Sequence, residues 1–266
     1  MIGIIMPVTR DLVWATAARS VFEQTHTDWH LFIVTNNKKL ATLLENSAVL
    51  TTNKITVIFR PEQEKEWAQA RNAAMDAAKQ NLDIKHFAFI DDDDIWFPNH
   101  LEDCLSAYEG GNLQDGVEYK RFVLASFYKI RAARRNDYLN LQKFTDMRDQ
   151  MERVREEHSA QQPYVSLMRI LNPDTVCATA LFVHADSFFL AGHGWEPAWW
   201  KDGRPMPGED LRYVQSMLLD GYIPIWLKPP TCANMNYMGK NYVPSGEVDE
   251  IVMMGHYKHD RRDIRE

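Results

Sequence analysis

The chain has 266 residues, 45% apolar and 11% aromatic, enough to bury a sizeable core in one large domain. Its 30 Lys and Arg against 37 Asp and Glu give a net charge of −7, which excludes a global basic field for nucleic acid or an anionic membrane. Three scattered cysteines, Cys104, Cys177 and Cys232, are too few for a disulfide framework or a cysteine-based zinc site, and read as buried apolar residues in a reducing compartment.

Ile2 to Met6 is an isoleucine-rich run, the pattern of a strand covered on both faces, with Pro7 read as its end. The run is too short to span a membrane, and nowhere else do about 18 apolar residues follow one another without charge. The expectation is a cytoplasmic protein with no integral membrane segment. Leu12 to Glu23 predicts a helix capped by Asp11, and Trp29 to Val34 a strand ended by Thr35-Asn36-Asn37. Lys39 to Glu45 reads as a helix, Ile55 to Phe59 as a strand, Trp67 to Gln80 as an alanine-rich helix, and Phe87 to Ile90 as a fourth strand. This alternation predicts an α/β fold with a mostly parallel sheet, in which ligands collect beyond the carboxyl ends of the strands.

From Gly110 to Pro173 the character changes. Val117 to Ile130 mixes aliphatic, aromatic and basic residues, and Asp137 to His158 is a charged helical stretch, together read as an insertion. Val176 to Val183 is strand-like, Gly192 to Gly208 is a loop dense in Gly, Pro and Trp, Glu209 to Asp220 is a helix closed by Gly221, and Ile223 to Leu227 is a short strand. The domain reading is a single domain over 1–266, with the insertion at 110–173 between a first part at 1–109 and a last part at 174–266.

Asp91-Asp92-Asp93-Asp94, directly after a buried strand, is the most informative feature. Clustered carboxylates repel unless a cation joins them, and Mg²⁺ or Mn²⁺ typically uses one or two protein carboxylates plus substrate phosphates. On an extended segment alternate residues point the same way, so Asp91 and Asp93 would converge while Asp92 and Asp94 face elsewhere. The other reading is a solvated acidic turn before the helix that starts near Pro98. Pro7-Val8-Thr9-Arg10 is neither a P-loop nor a dinucleotide fingerprint, and no serine nucleophile elbow occurs, which weakens kinase, dehydrogenase and hydrolase readings.

Five segments in order resemble the family 2 nucleotide-sugar glycosyltransferases, which have the GT-A fold. They are Ile4 to Arg10, similar to the opening strand and donor loop; Ser20-Val-Phe-Glu-Gln-Thr in the first helix; Ala70-Arg71-Asn72-Ala73; Phe89 to Leu101, which carries the Asp-x-Asp metal motif; and Gly208-Glu209-Asp210-Leu211. The resemblance implies an inverting, metal-dependent transfer of a sugar from a nucleoside diphosphate sugar, UDP first among them, to an acceptor hydroxyl, with 1–109 as the nucleotide-sugar-binding half and 174–266 as the acceptor-side half, whose segment from Asn234 to Glu250 is read as a lid. Pro7 and Thr9 would line the nucleoside pocket, Arg71 would approach base or diphosphate, and Asp92 would sit near the ribose. Asp93, with Asp91, would hold Mn²⁺ or Mg²⁺ against the diphosphate. Asp210 would be the general base, with Glu209 on the acceptor or steadying Asp210. In a first helical turn both acids also suit the helix dipole.

Many relatives place an aspartate where this chain has Asn36, which would read uracil with an amide. Trp195 is an acceptor-stacking candidate or else ordinary core; Trp199 and Trp200 flank the same loop, and Trp96 reads as structural. Among His184, His193, His256 and His259, His256 is the candidate extra metal ligand. Lys120, Arg121, Lys129, Arg131, Arg134 and Arg135 form a basic cluster, either a solvated face or a phosphate-binding surface for a nucleic-acid acceptor such as hydroxymethylated DNA. The acceptor otherwise is a glycan or lipid-linked glycan. A reading of another class is a nucleotide-sugar-binding module without turnover.

Overall fold

The computed structural model describes residues 1–8, 14–46, 53–61, 67–81, 83–110, 120–131, 164–165, 176–196, 208–235 and 250–254. Its strands are β1 (Ile2–Val8), β2 (Trp29–Thr35), β3 (Ile55–Phe59), β4 (His86–Phe89), β5 (Ile95–Trp96), β6 (Arg121–Arg131), β7 (Tyr164–Val165), β8 (Leu181–His184), β9 (Ile223–Met235) and β10 (Glu250–Met254). Its helices are α1 (Trp14–Phe22), α2 (Lys38–Asn46), α3 (Trp67–Asn81), α4 (His100–Gly110), α5 (Asp186–Phe189) and α6 (Glu209–Leu219), and a 3₁₀ turn lies at Ala178–Ala180. Every strand joins one sheet in the order β3-β2-β1-β4-β8-β6-β9-β5, with β10 beside β6 and β7 beside β9. The first four strands in that order are parallel, and β8 runs antiparallel between β4 and β6.

The apolar runs form strands because both faces of the sheet are covered, and each residue of β1 and β2 is buried. Alternation then sorts the core into two layers. Ile2, Ile4, Met6 and Val8 pack with α1, α2 and α4 residues such as Val21, Leu44 and Leu101. Ile5, Phe32 and Val34 face α3 and α6, meeting Ala74, Met75, Val214 and Met217. Gly3 is required by close approach, because a Cβ there would lie 2.9 Å from the Phe87 ring.

Four expectations change. Pro7 does not end β1; it pairs with Val34 inside the strand. Ile5 O accepts the Ile90 N–H at 3.0 Å, so Ile5, and Pro7 two residues on, direct their backbone polar groups toward β4, which ends at Phe89. The N–H that Pro7 lacks would have faced Ile90 O, so its loss falls where the β1–β4 ladder stops and leaves the pairing with β2 intact through Val8. The Ile223 to Leu227 strand runs on to Met235 through Pro229-Pro230, where register shifts opposite Ser126 absorb the prolines. Val176 to Val183 is not one strand: the 3₁₀ turn precedes β8, for a reason given below. Residues 121–131, read as part of an insertion, are β6 in the middle of the sheet. The helical stretch expected from Asp137 to His158 and most of the lid lie outside the described residues.

Candidate active site

The parallel strands deliver Thr35-Asn36 and Ile90-Asp91 to one edge of the sheet. Ile90 is held to β1, and Ile95–Trp96 pairs antiparallel with Cys232 and Ala233 of β9, so the four aspartates are clamped at both ends. Asp94 N–H donates to Asp91 O at 3.1 Å, which closes them into a turn rather than the extended segment expected. The alternation of exposure survives: Asp91 and Asp93 reach solvent in part, whereas Asp92 and Asp94 are each 1% exposed. Asp92, expected near a ribose, thus has its side chain turned inward with Asp94.

The first helix supports this turn from behind. Ser20 Oγ accepts the Trp96 N–H, buried Gln24 donates to Phe97 O at 2.7 Å, and Gln24 Oε1 accepts the Leu101 N–H. Ser20 and Gln24 thus tie α1 to the chain that leaves the aspartate turn. Trp96 is structural, 2% exposed and stacked on His100.

Arg71 lies at the centre. Carried by α3 and 2% exposed, its guanidinium donates to Asp91 Oδ1 at 2.6 Å and to Glu209 Oε1, and lies 4.0 Å from Asp210 Oδ1. Burial alone lowers the pKa of Arg71, but the charges of Asp91, Glu209 and Asp210 more than reverse this and raise it. Arg71 therefore stays charged, one cation facing three carboxylates.

Glu209 and Asp210 open α6 after Gly208, whose φ of 96° places it in the left-handed region that favours glycine. Asp210 Oδ2 accepts the Ala178 N–H at 3.2 Å. Although 26% of its side chain is exposed, its carboxyl is pushed up to about 7, first by burial and then by the charges of Asp91 and Glu209, with Arg71 and the Ala178 N–H opposing. A carboxyl that titrates near neutrality is poised to take and release a proton.

Trp195 is placed differently from the acceptor-stacking expectation. Its indole is 1% exposed, stacks on Tyr213 at 4.4 Å and 3°, and lies under the Arg71 guanidinium at 4.4 Å. Asn72 fixes its backbone, donating to Trp195 O and accepting from Trp195 N–H, both at 2.7 Å. The ring is a platform for Arg71, with both faces taken.

Pro7 is buried in β1, and Asn36 follows β2 at the same edge as the aspartates; its neighbour Asn37 caps α2, accepting from the N–H groups of Lys39 and Leu40. Thr9, Trp199, Trp200, His256, His259, Arg134 and Arg135 lie outside the described residues. His184 and His193 sit near Asp186 and Asp220 at 3.6 and 3.0 Å, away from the cluster. Arg121 covers Tyr108 at the opposite edge of the sheet, where β6 begins, and Lys120 donates to Asp220 O. Lys129 and Arg131 lie in β6. Cys104, Cys177 and Cys232 are buried thiols that form no disulfide, and burial pushes each thiol well up.

Sequence reasoning missed Ala178, which acts through its backbone and carries no side-chain signal, and Thr179. Thr179 donates to Asp94 Oδ2 and accepts the Asp91 N–H at 3.3 Å. It is the only polar group besides a thiol in the apolar run from Val176 to Val183, and a buried hydroxyl there needs a partner. These bonds draw residues 177–180 out of the ladder.

An α/β sheet that gathers an aspartate turn, a buried arginine and a helix-borne acidic pair at its carboxyl edge is a GT-A domain. The family model described as Glycosyl transferase family 2 matches residues 4–170, more than half of the chain, and the chain belongs to that family. It is 30% identical over 109 residues to an uncharacterized glycosyltransferase of Acanthamoeba polyphaga mimivirus, covering 34% of this chain and 41% of that one. It is 35% identical over 95 residues to the succinoglycan biosynthesis protein ExoW of Rhizobium meliloti, covering 35% of this chain and 28% of that one. The crystal structure of S. aureus TarS in complex with UDP-GlcNAc superposes with a TM-score of 0.61 at 12% identity, over 93% of this chain and 61% of that one. The chain thus spans less than half of these two curated relatives and about 60% of the TarS chain. Among the described residues no helix is long and apolar enough to cross a membrane.

Proposed function

We propose that the protein transfers a glycosyl group from a nucleoside diphosphate sugar, UDP-linked, to an acceptor hydroxyl with inversion at the anomeric carbon. The observation that carries this is the convergence of Asp91, Glu209 and Asp210 on Arg71, with the carboxyl of Asp210 pushed up to about 7. Membership of the family and the UDP and UDP-GlcNAc complexes of TarS support the donor class.

In this reading Asp210 accepts the proton of the acceptor hydroxyl as that oxygen attacks. Arg71 holds Glu209 and draws Asp210 toward its ionised form, while Glu209 steadies the approach of the acceptor. Asn36 and Pro7 border the nucleoside, and Arg71 faces the diphosphate. The donor set fits a hard cation, Mn²⁺ or Mg²⁺. Asp91 and Asp93 present oxygen ligands on the solvent side of the turn, and the carboxylates at the site outnumber Arg71. Among the described residues no group of three His, Cys, Asp or Glu side chains is arranged to hold a metal, so the cation would rest on these two carboxylates and the donor's phosphates. Bound there, it would neutralise the charge that grows on the leaving diphosphate.

The test is thermal stabilisation by a panel of nucleoside diphosphates and nucleotide sugars with Mn²⁺ and with chelator, since a ligand of the native state raises the melting temperature. A uridine-selective, metal-dependent rise is expected, and Asp210→Asn should keep it while losing UDP release from the donor. No stabiliser in the panel, or full activity in Asp210→Asn, would overturn the reading.

A further inference from the structure

The aspartate turn follows β4 and the acidic pair opens α6, with Asp91 and Asp210 119 positions apart in the chain. Besides Arg71, the 3₁₀ turn links them among the described residues. Its backbone closes through Ala180 N–H to Cys177 O at 3.1 Å, and it continues directly into β8, which lies between β4 and β6. Ala178 N–H donates to Asp210 at 3.2 Å. One residue on, the Thr179 hydroxyl gives its single proton to Asp94 Oδ2 and turns a lone pair to the Asp91 N–H. Thr179 O accepts the Trp96 indole N–H at 2.9 Å. Thr179 is 0% exposed and Asp94 1%, so no bulk water substitutes for these bonds.

We infer that Thr179 is a positioning residue whose hydroxyl pins the aspartate turn to the 3₁₀ turn that holds Asp210, and so sets the spacing between the metal-side carboxylates and the base. This rests on the assignment of Asp210 and Asp91 proposed above. The pin is directional and uncharged. It differs in this from the Arg71 link, which is a set of ion pairs. Thr179 touches no reacting atom in this scheme; it acts through Asp91, Asp94 and Ala178.

Valine has the shape of threonine without the hydroxyl, and serine keeps the hydroxyl without the methyl. The assay is UDP release from the UDP-sugar that stabilises the full chain best in the panel above, with water as acceptor, read as kcat, donor KM and the Mn²⁺ concentration for half-activation. Thr179→Val is expected to lower kcat by about 10- to 100-fold, the effect of a small misplacement of reacting groups, and to raise the Mn²⁺ requirement. Thr179→Ser should recover most of both. The inference is overturned if the folded valine protein matches wild type in kcat and Mn²⁺ requirement, or if valine and serine lose activity only in step with their melting temperatures.

Should the valine protein not fold, the pin is tested from its other end. Asp94→Asn retains an oxygen to accept the hydroxyl proton and Asp94→Ala does not, so the asparagine protein should turn over well above the alanine protein; equal losses overturn the pin. Asp210→Asn, run alongside, separates the two levels. An inactive Asp210→Asn with a wild-type Thr179→Val removes the pin alone, whereas an active Asp210→Asn removes the base assignment and the pin with it.

Discussion

Replacing Arg71 with methionine keeps an aliphatic stem over Trp195 and deletes the side-chain cation that, among the described residues, holds Asp210 toward its ionised form. The guanidinium lies 4.0 Å from Asp210 Oδ1. Two unit charges at that distance interact by about 4 kcal/mol at an effective dielectric of 20. Water reaching the 26%-exposed Asp210 side chain reduces this toward the usual effect of an adjacent opposite charge on a carboxyl, about 1–3 pKa units. With Arg71 present the carboxyl stands at about 7, raised first by burial and then by Asp91 and Glu209. Without it the carboxyl moves further up. A base must be unprotonated, so the acid limb of kcat against pH should move to higher pH in Arg71→Met. The assay is UDP release across the neutral to alkaline range at saturating donor, because Arg71 also faces the diphosphate in the proposed scheme and KM will rise. Arg71→Lys keeps the charge but loses the two-pronged geometry, so its limb should stay near that of wild type while kcat falls. Stability should follow the same sign. Three carboxylates left without a cation are destabilising by roughly 3–5 kcal/mol when ionised, and the loss should shrink as pH falls and they protonate. An acid limb that stays in place, or moves to lower pH, would refute the electrostatic account of Asp210.

Trp195→Phe and Trp195→Leu separate a platform from an acceptor-binding ring. Both should destabilise the fold through the cavity they leave, by roughly 1–4 kcal/mol, read in denaturant unfolding, and the leucine protein should lose more kcat because the Arg71 guanidinium loses its aromatic face; an acceptor KM that rises with stability unchanged would restore the acceptor role. The adjacent asparagines should part company. Asn37→Ala should cost about 1 kcal/mol through the lost α2 cap with donor KM unchanged, measured by denaturant unfolding, whereas Asn36→Ala should raise donor KM with little change in stability; an Asn36→Ala protein with wild-type donor KM would remove Asn36 from the uracil pocket.

The parallel half of the fold was legible because its strands are buried on both faces, and such strands appear as unbroken apolar runs in the sequence. What misled was proline. A single Pro7 looks like a stop because the sequence shows the missing N–H and not the direction in which it would have pointed. That N–H would have faced Ile90 O, where the pairing with β4 stops, while the pairing with β2 on the other side runs on to Val8. Pro229-Pro230 misled for a related reason, since a register shift against β6 supplied the slack they needed. The Val176 to Val183 run was misread because two of its backbone and side-chain donors serve carboxylates distant in sequence, and periodicity carries no record of that.

The candidate site divides along the same line. Asp91, Arg71, Glu209 and Asp210 could be named from their motifs because each brings a charge whose chemistry shows in its residue type. Their division of labour could not, because it depends on who is buried beside whom. The alternation of Asp91 and Asp93 against Asp92 and Asp94 was legible, but not the turn that carries it or the depth at which the second pair is buried. Trp195 shows how far this goes. An indole close in sequence to an acidic motif looks like a sugar-binding face, and in the fold it does lie beside that motif. Yet Tyr213 occupies one side of the ring and Arg71 the other. Burying an arginine demands both a flat surface for its guanidinium and carboxylates for its charge. Trp195 supplies the first, and Asp91 and Glu209 the second. With Asp210 only 4.0 Å from the same guanidinium, the packing of an uncharged ring under Arg71 bears on how readily the neighbouring acid gives up its proton.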